Sequence, residues 1–266
     1  MPRAHERSGA LELPAAAEAV TAAEAEPIGA LARARLWQAA VNVSNDNSVR
    51  ALALQALWSR ASAEELDSLN SALLPSSVKL PARTNEIWLA PAAIRYSLLA
   101  GDIEQAEDWA KLLANTRADN PDLLAAQQNY ALVFSLLNNN LRLEALRNWW
   151  KIQPDQAAAL RIVTVLEGAG LAIPPEFWLE IQNNFDDSVV PQGQGPGPLW
   201  LRLVAQSLEW NESGRALLTL ITPLAQIGPA ELNATGISNL LAGLRYLQRE
   251  DAAKALALHA LLDVTE

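Results

Sequence analysis

Cysteine is absent from the 266-residue chain, histidine occurs twice and methionine once. The first absence removes disulfides, thiolate nucleophiles and zinc–thiolate centres together. The second leaves His5 and His259 as the whole supply of the commonest catalytic base and metal ligand. Half of the residues are hydrophobic, yet no run of about 18 apolar residues occurs, so no membrane-crossing helix is expected. Positive charge is scarce: thirty acidic against twenty basic residues leave a net −10. That balance argues against a nucleic-acid partner, whose phosphates need cations to replace their counterions.

Large side chains are also scarce near the start. Residues 1–27 read as a tail: within them Leu13–Ala25 is almost wholly Ala, Glu, Pro, Val and Thr, which favours a flexible or arm-like segment over a packed element, since short isolated helices are marginal in water. The opening MPRAHERSGALEL lacks a continuous apolar stretch of the signal-peptide kind. The expected compartment is the cytoplasm, or the periplasm or exterior if a leader was removed. A second break, DDSVVPQGQGPGP at 186–198, carries three glycines and three prolines and cannot continue a helix. It is read as a linker between a larger region, 28–185, and a C-terminal region, 199–266.

What is present is helical. Leu, Ala, Glu, Arg and Gln dominate, apolar residues recur three or four apart, and no period-two alternation marks a strand. Pro121-Asp122, Pro154-Asp155 and Pro174-Pro175-Glu176 each place proline at or near a first helical turn. The fold class is all-α.

Within it a hairpin repeats. Gly101, Asn140, Asn211 and Glu250 each sit in a polar turn, with Leu98, Leu137, Leu208 and Leu247 three residues before and Ala106, Ala145, Ala216 and Ala255 five residues after. The first and last pairs of turns are 39 residues apart and the middle gap fits two units, the extra one turning near Gly168–Pro175. An earlier unit turns near Ala61. A small residue early in a second helix lets two antiparallel helices approach closely, and hairpins stacked at a fixed period bury one another's faces. The expectation is a right-handed α-solenoid of about six antiparallel hairpins; the alternative is an irregular helical bundle. Trp88–Leu113, with Gly101-Asp102 at its turn and Ala106 beyond it, resembles the tetratricopeptide-like repeats, and 125–152, 199–226 and 239–264 resemble them more loosely. The period is longer than that family's 34 residues, and the resemblance implies hairpin stacking and partner binding without naming a ligand.

Glu104/Glu107/Asp108, Glu64/Glu65/Asp67, Glu176/Glu180 and Asp186/Asp187 are the carboxylate clusters. Glu104 and Asp108, four apart, could share a cation, but a solvated acidic face at a helix start explains them better. His259, in ALALHALL, reads as a packed structural residue. Nine tryptophans against three tyrosines and three phenylalanines are unusual. Most are expected to pack within hairpins. Trp149 and Trp150 cannot share a direction, because adjacent helical positions differ by about 100°, so one of them faces a seam or a surface; Phe177-Trp178 poses the same question.

Arginine outnumbers lysine sixteen to four. Arg95, Arg202 and Arg245 fall on first helices of hairpins, the concave side of tetratricopeptide-like stacks. With Tyr96 and Asn129 they could grip carboxylates or peptide backbone. The binding candidates are therefore Tyr96, Asn129, Trp149, Trp150, Arg202 and Arg245. No catalytic residue, metal or cofactor is expected. The reading is a non-enzymatic scaffold or adaptor for a protein or peptide, serving as a subunit of a larger assembly and capable of self-association. The alternative is an enzyme accessory or polymer-binding helical domain of the cell envelope.

Overall fold

A computed structural model describes residues 30–58, 79–116, 120–184, 197–210, 212–227 and 232–264. Among them are twelve α-helices, one 3₁₀ segment and no strand, so the protein is all-helical. No helix among the described residues is long and apolar enough to cross a membrane. The expected tail at 1–27, the break at 186–198 and the turn near Ala61 lie outside the described residues. The chain forms two compact units that divide between Gln127 and Gln128.

The first unit holds α1 (Ala30–Val41), α2 (Asn47–Trp58), the 3₁₀ segment Thr84–Leu89, α3 (Ala90–Leu99) and α4 (Ile103–Asn115). Helix α1 packs on α2, and α3 on α4. Leu36, Leu54, Leu57, Ile94, Trp109 and Leu113 form its core. The Leu80 carbonyl anchors α4 by accepting from both Gln105 Nε2 at 2.8 Å and Trp109 Nε1 at 3.2 Å. Arg50 is buried, and its Nε–H donates to the Ala40 carbonyl at 3.1 Å, capping the end of α1. Burial lowers the pKa of this guanidinium from its ordinary value.

Helix α5 (Pro121–Leu137) spans the division. Beyond it, the second unit holds α6 (Leu143–Lys151), α7 (Gln156–Gly168), α8 (Pro175–Asn184), α9 (Pro198–Glu209), α10 (Ser213–Ile227), α11 (Ala234–Tyr246) and α12 (Glu250–Val264). The helix starts follow side-chain caps. Asp155 accepts from the N–H groups of Ala157 and Ala158, and Asn233 from that of Gly236. Proline opens α5 and α8 at the expected places. Helix α11 is the hub, packed by α7, α10 and α12. Gly168 permits the α7–α11 contact: a Cβ there would lie 3.1 Å from the Ser238 Cα and 3.2 Å from the Leu241 Cβ. This contact joins helices on either side of the α9–α10 hairpin, so packing here is not confined to sequence neighbours, as it would be in a linear stack.

Four of the hairpins turn by one device. Gly101 (φ +75°), Asn139 (φ +50°), Gly170 (φ +110°) and Gln248 (φ +59°) hold left-handed backbone just past the ends of α3, α5, α7 and α11. The N–H of the following residue reaches back five positions: Asp102 to Ser97 at 2.9 Å, Asn140 to Ser135 at 2.9 Å, Leu171 to Leu166 at 3.0 Å and Arg249 to Leu244 at 2.9 Å. These are Schellman closures. The end of α9 carries the same bond, from Glu212 to Ser207 at 2.8 Å.

This geometry corrects two of the sequence anchors. The turn residues are Asn139 and Gln248 rather than Asn140 and Glu250. Ala145 and Ala255 are exposed, and the buried positions belong to Leu146 and Ala253. The constant feature is counted from the start of each second helix. Ala106, Leu146, Ala216 and Ala253 all have their N–H bonded to the first-turn carbonyl four residues earlier, and all are fully buried. The α5–α6 turn holds two more residues before its helix begins, so counting from the turn misplaces the pattern there.

Gly101 has open space where a Cβ would stand, so only its backbone conformation constrains it. Gly101→Ala is expected to lower unfolding free energy by about 1 kcal/mol. Gly101→Asn should lower it less, as Asn139 already holds the equivalent conformation. Urea denaturation followed by circular dichroism measures both.

Candidate functional site

The structure separates the six binding candidates. Tyr96 is buried in the first unit and stacks on Trp58, ring centroids 4.3 Å apart and planes 20° apart. It is a core residue and offers no surface to a partner. In the second unit Trp149 is buried, and its indole N–H donates to Asn129 Oδ1 at 2.8 Å. These two were expected to grip a ligand; they grip each other and tie α6 to α5. Arg245 is exposed on α11, with its guanidinium lying over Gly170, where a Cβ would come within 2.9 Å of Cζ. Arg202 is exposed on α9.

Trp150 is the candidate that reaches a cleft. Helix α6 buries Leu146 and Trp149, three apart, which turns Arg147, Trp150 and Lys151 to another side with the i, i+3, i+4 spacing of one helical face. Helix α8 supplies the matching triplet Phe177, Glu180 and Ile181. With Gln153 and Gln156, these residues line a cleft of about 320 Å³. Trp150 meets Phe177 edge-to-face, centroids 6.2 Å apart and planes at 84°.

An ion pair crosses the cleft. Arg147 Nε donates to Glu180 Oε2 at 2.9 Å, and Nη2 donates to Oε1, the bidentate arrangement that fixes both side chains. This hydrogen bond raises the Arg147 pKa above its ordinary value, desolvation opposes it, and the charges of Glu180, Glu176 and Glu144 add to the rise. The wall thus offers the half-buried Trp150 ring backed by the buried Phe177, a clasped guanidinium, two amides and the Lys151 ammonium. Such a lining fits one bulky side chain and the polar backbone beside it better than a large organic ligand.

Arg147, Lys151, Gln153 and Gln156 were not singled out from sequence, and Glu180 was noted only as a carboxylate. The repeated i, i+3, i+4 triplets were the available signal, but their meeting depends on how α6 packs against α8. Other candidates resolve simply. Lys111 lies 3.5 Å from Glu107 and 3.4 Å from Asp108 on the surface of α4, and Glu104 on the same helix is exposed. His259 is exposed rather than packed, because Ala257 and Ala260 take the inward positions of α12. Glu64, Glu65, Asp67, Asp186 and Asp187 lie outside the described residues. Among the described residues no group of three His, Cys, Asp or Glu side chains is placed to hold a metal ion.

Comparison with known proteins found no matching family model, curated protein or solved structure.

Trp149 and Trp150 are adjacent in sequence and opposite in role. Asn129→Ala removes the acceptor of the buried indole N–H and should cost about 1–3 kcal/mol of stability. Trp149→Ala should cost about 3–5 kcal/mol. Chemical denaturation of the full chain reads both values, and a Trp149→Ala protein as stable as the parent would contradict its place in the core.

Proposed function

We propose that the protein is a non-enzymatic scaffold or adaptor, a subunit of a larger assembly, whose packed helical hairpins bind a protein or peptide segment. The observation that carries this reading is the α6–α8 cleft, where Trp150 and Phe177 stand beside the Arg147–Glu180 pair. Aromatic rings and arginine are the side chains that most often carry binding energy between proteins, because they combine large contact area with directed polar groups. The bidentate clasp holds the cleft's floor in one arrangement before a ligand arrives, which reduces the ordering cost of binding. A peptide side chain would seat against the Trp150 ring, which rests on the buried Phe177, with the exposed Lys151 ammonium beside it.

Fluorescence anisotropy of the full chain against a labelled peptide library tests the reading. A binding peptide is expected, and Trp150→Ala should weaken it at least tenfold while helicity by circular dichroism is retained. A peptide bound equally by the Trp150→Ala protein would refute the site. A library with no binder at all would refute the function.

A further inference from the structure

We propose that helix α9 is a self-association surface, pairing antiparallel with α9 of a second copy about a two-fold axis near Ala205. Helix α9 turns Val204 and Ser207 inward. Outward it presents Leu201 and Ala205, with Leu208 half-buried at their edge. The spacings of four and three residues among these positions form the a/d stripe of a two-helix seam. The fit is to one partner in particular, another α9. Arg202 and Glu209 lie seven residues apart, two helical turns along the same flank of the stripe, and both are exposed. Neither has an ion-pair partner among the described residues, whereas nearby Arg215 is held by Glu212 at 3.1 Å.

Two helices run antiparallel about an axis close to Ala205 and Gln206 place Arg202 opposite Glu209 of the partner subunit, and Glu209 opposite Arg202 of the partner subunit. Both pairs are made by one symmetric contact, as an isologous interface requires. In antiparallel seams like flanking positions face each other, so an unlike pair on one helix is self-complementary. The small Ala205 at the crossing lets the backbones approach closely. Charge favours this contact over others. The chain carries −10, so two copies repel across most of their surfaces, while residues 197–227 hold two arginines and two glutamates and are neutral.

The test is sedimentation velocity of the full chain over a hundredfold concentration range. A monomer–dimer equilibrium is expected. Arg202→Glu and Glu209→Arg, each alone, set like charges opposite one another and should weaken the dimer about tenfold. The double exchange restores both pairs and should recover the parent affinity, a rescue that loss of folding could not produce. A chain monomeric at every concentration overturns the proposal and leaves the face to a different protein or another part of the chain. A dimer indifferent to both single reversals overturns it equally.

Discussion

The left-handed residue just past the ends of α3, α5, α7 and α11 is the constraint on which most of the structure depends. Once a helix stops at such a residue, the N–H of the next residue bonds five positions back, and the chain must reverse within a turn. Without that reversal the apolar faces of consecutive helices would point away from each other. Two of the four described residues in this conformation are glycines, which adopt it without steric cost. Asn139 and Gln248 adopt it at a cost that the packing of their hairpins must offset.

Reversal brings two helices side by side, and tryptophan then fastens them. In three successive hairpins of the second unit an indole N–H crosses from one helix to the other: Trp149 to Asn129, Trp178 to Glu167 Oε1 at 3.0 Å, and Trp200 to the Thr219 carbonyl at 2.6 Å. A ring buries a large apolar area while its single donor finds an acceptor, so the same residue supplies both bulk and direction. The excess of tryptophan in this chain is therefore mostly an architectural feature. Trp150 is the exception among the pair at 149–150, because the next position on a helix points about 100° away.

The two surfaces proposed for interaction in the second unit differ in how they are built. The α6–α8 cleft is preorganised: its guanidinium is already clasped by Glu180 and its indole already rests on Phe177. Its contents suit one side chain of a flexible partner. Helix α9 instead offers a stripe with unspent charges at both ends, which suits a rigid helix of matching pattern. A hairpin fold supports both, because each helix needs only part of its circumference for internal packing.

Amphipathic periodicity and the proline starts at 121 and 175 were sufficient to establish an all-helical chain built of hairpins, because those signals act within a few residues of one another. The turns of the hairpins were legible too, though displaced by one residue at Asn139 and two at Gln248, since turn length varies while the buried position counts from the helix start. The candidate site was less legible. Asn129 and Trp149 share a bond between α5 and α6, and Tyr96 meets Trp58 from a different helix; a surface residue and a core residue of the same type look alike in sequence. The Arg147–Glu180 clasp required two helices to be placed side by side, 33 residues apart along the chain. The sequence by itself determined helix and turn, which are set by local backbone preference and spacing. Only the tertiary structure decided which tryptophan is core and which lines a cleft, because that depends on what each helix face meets.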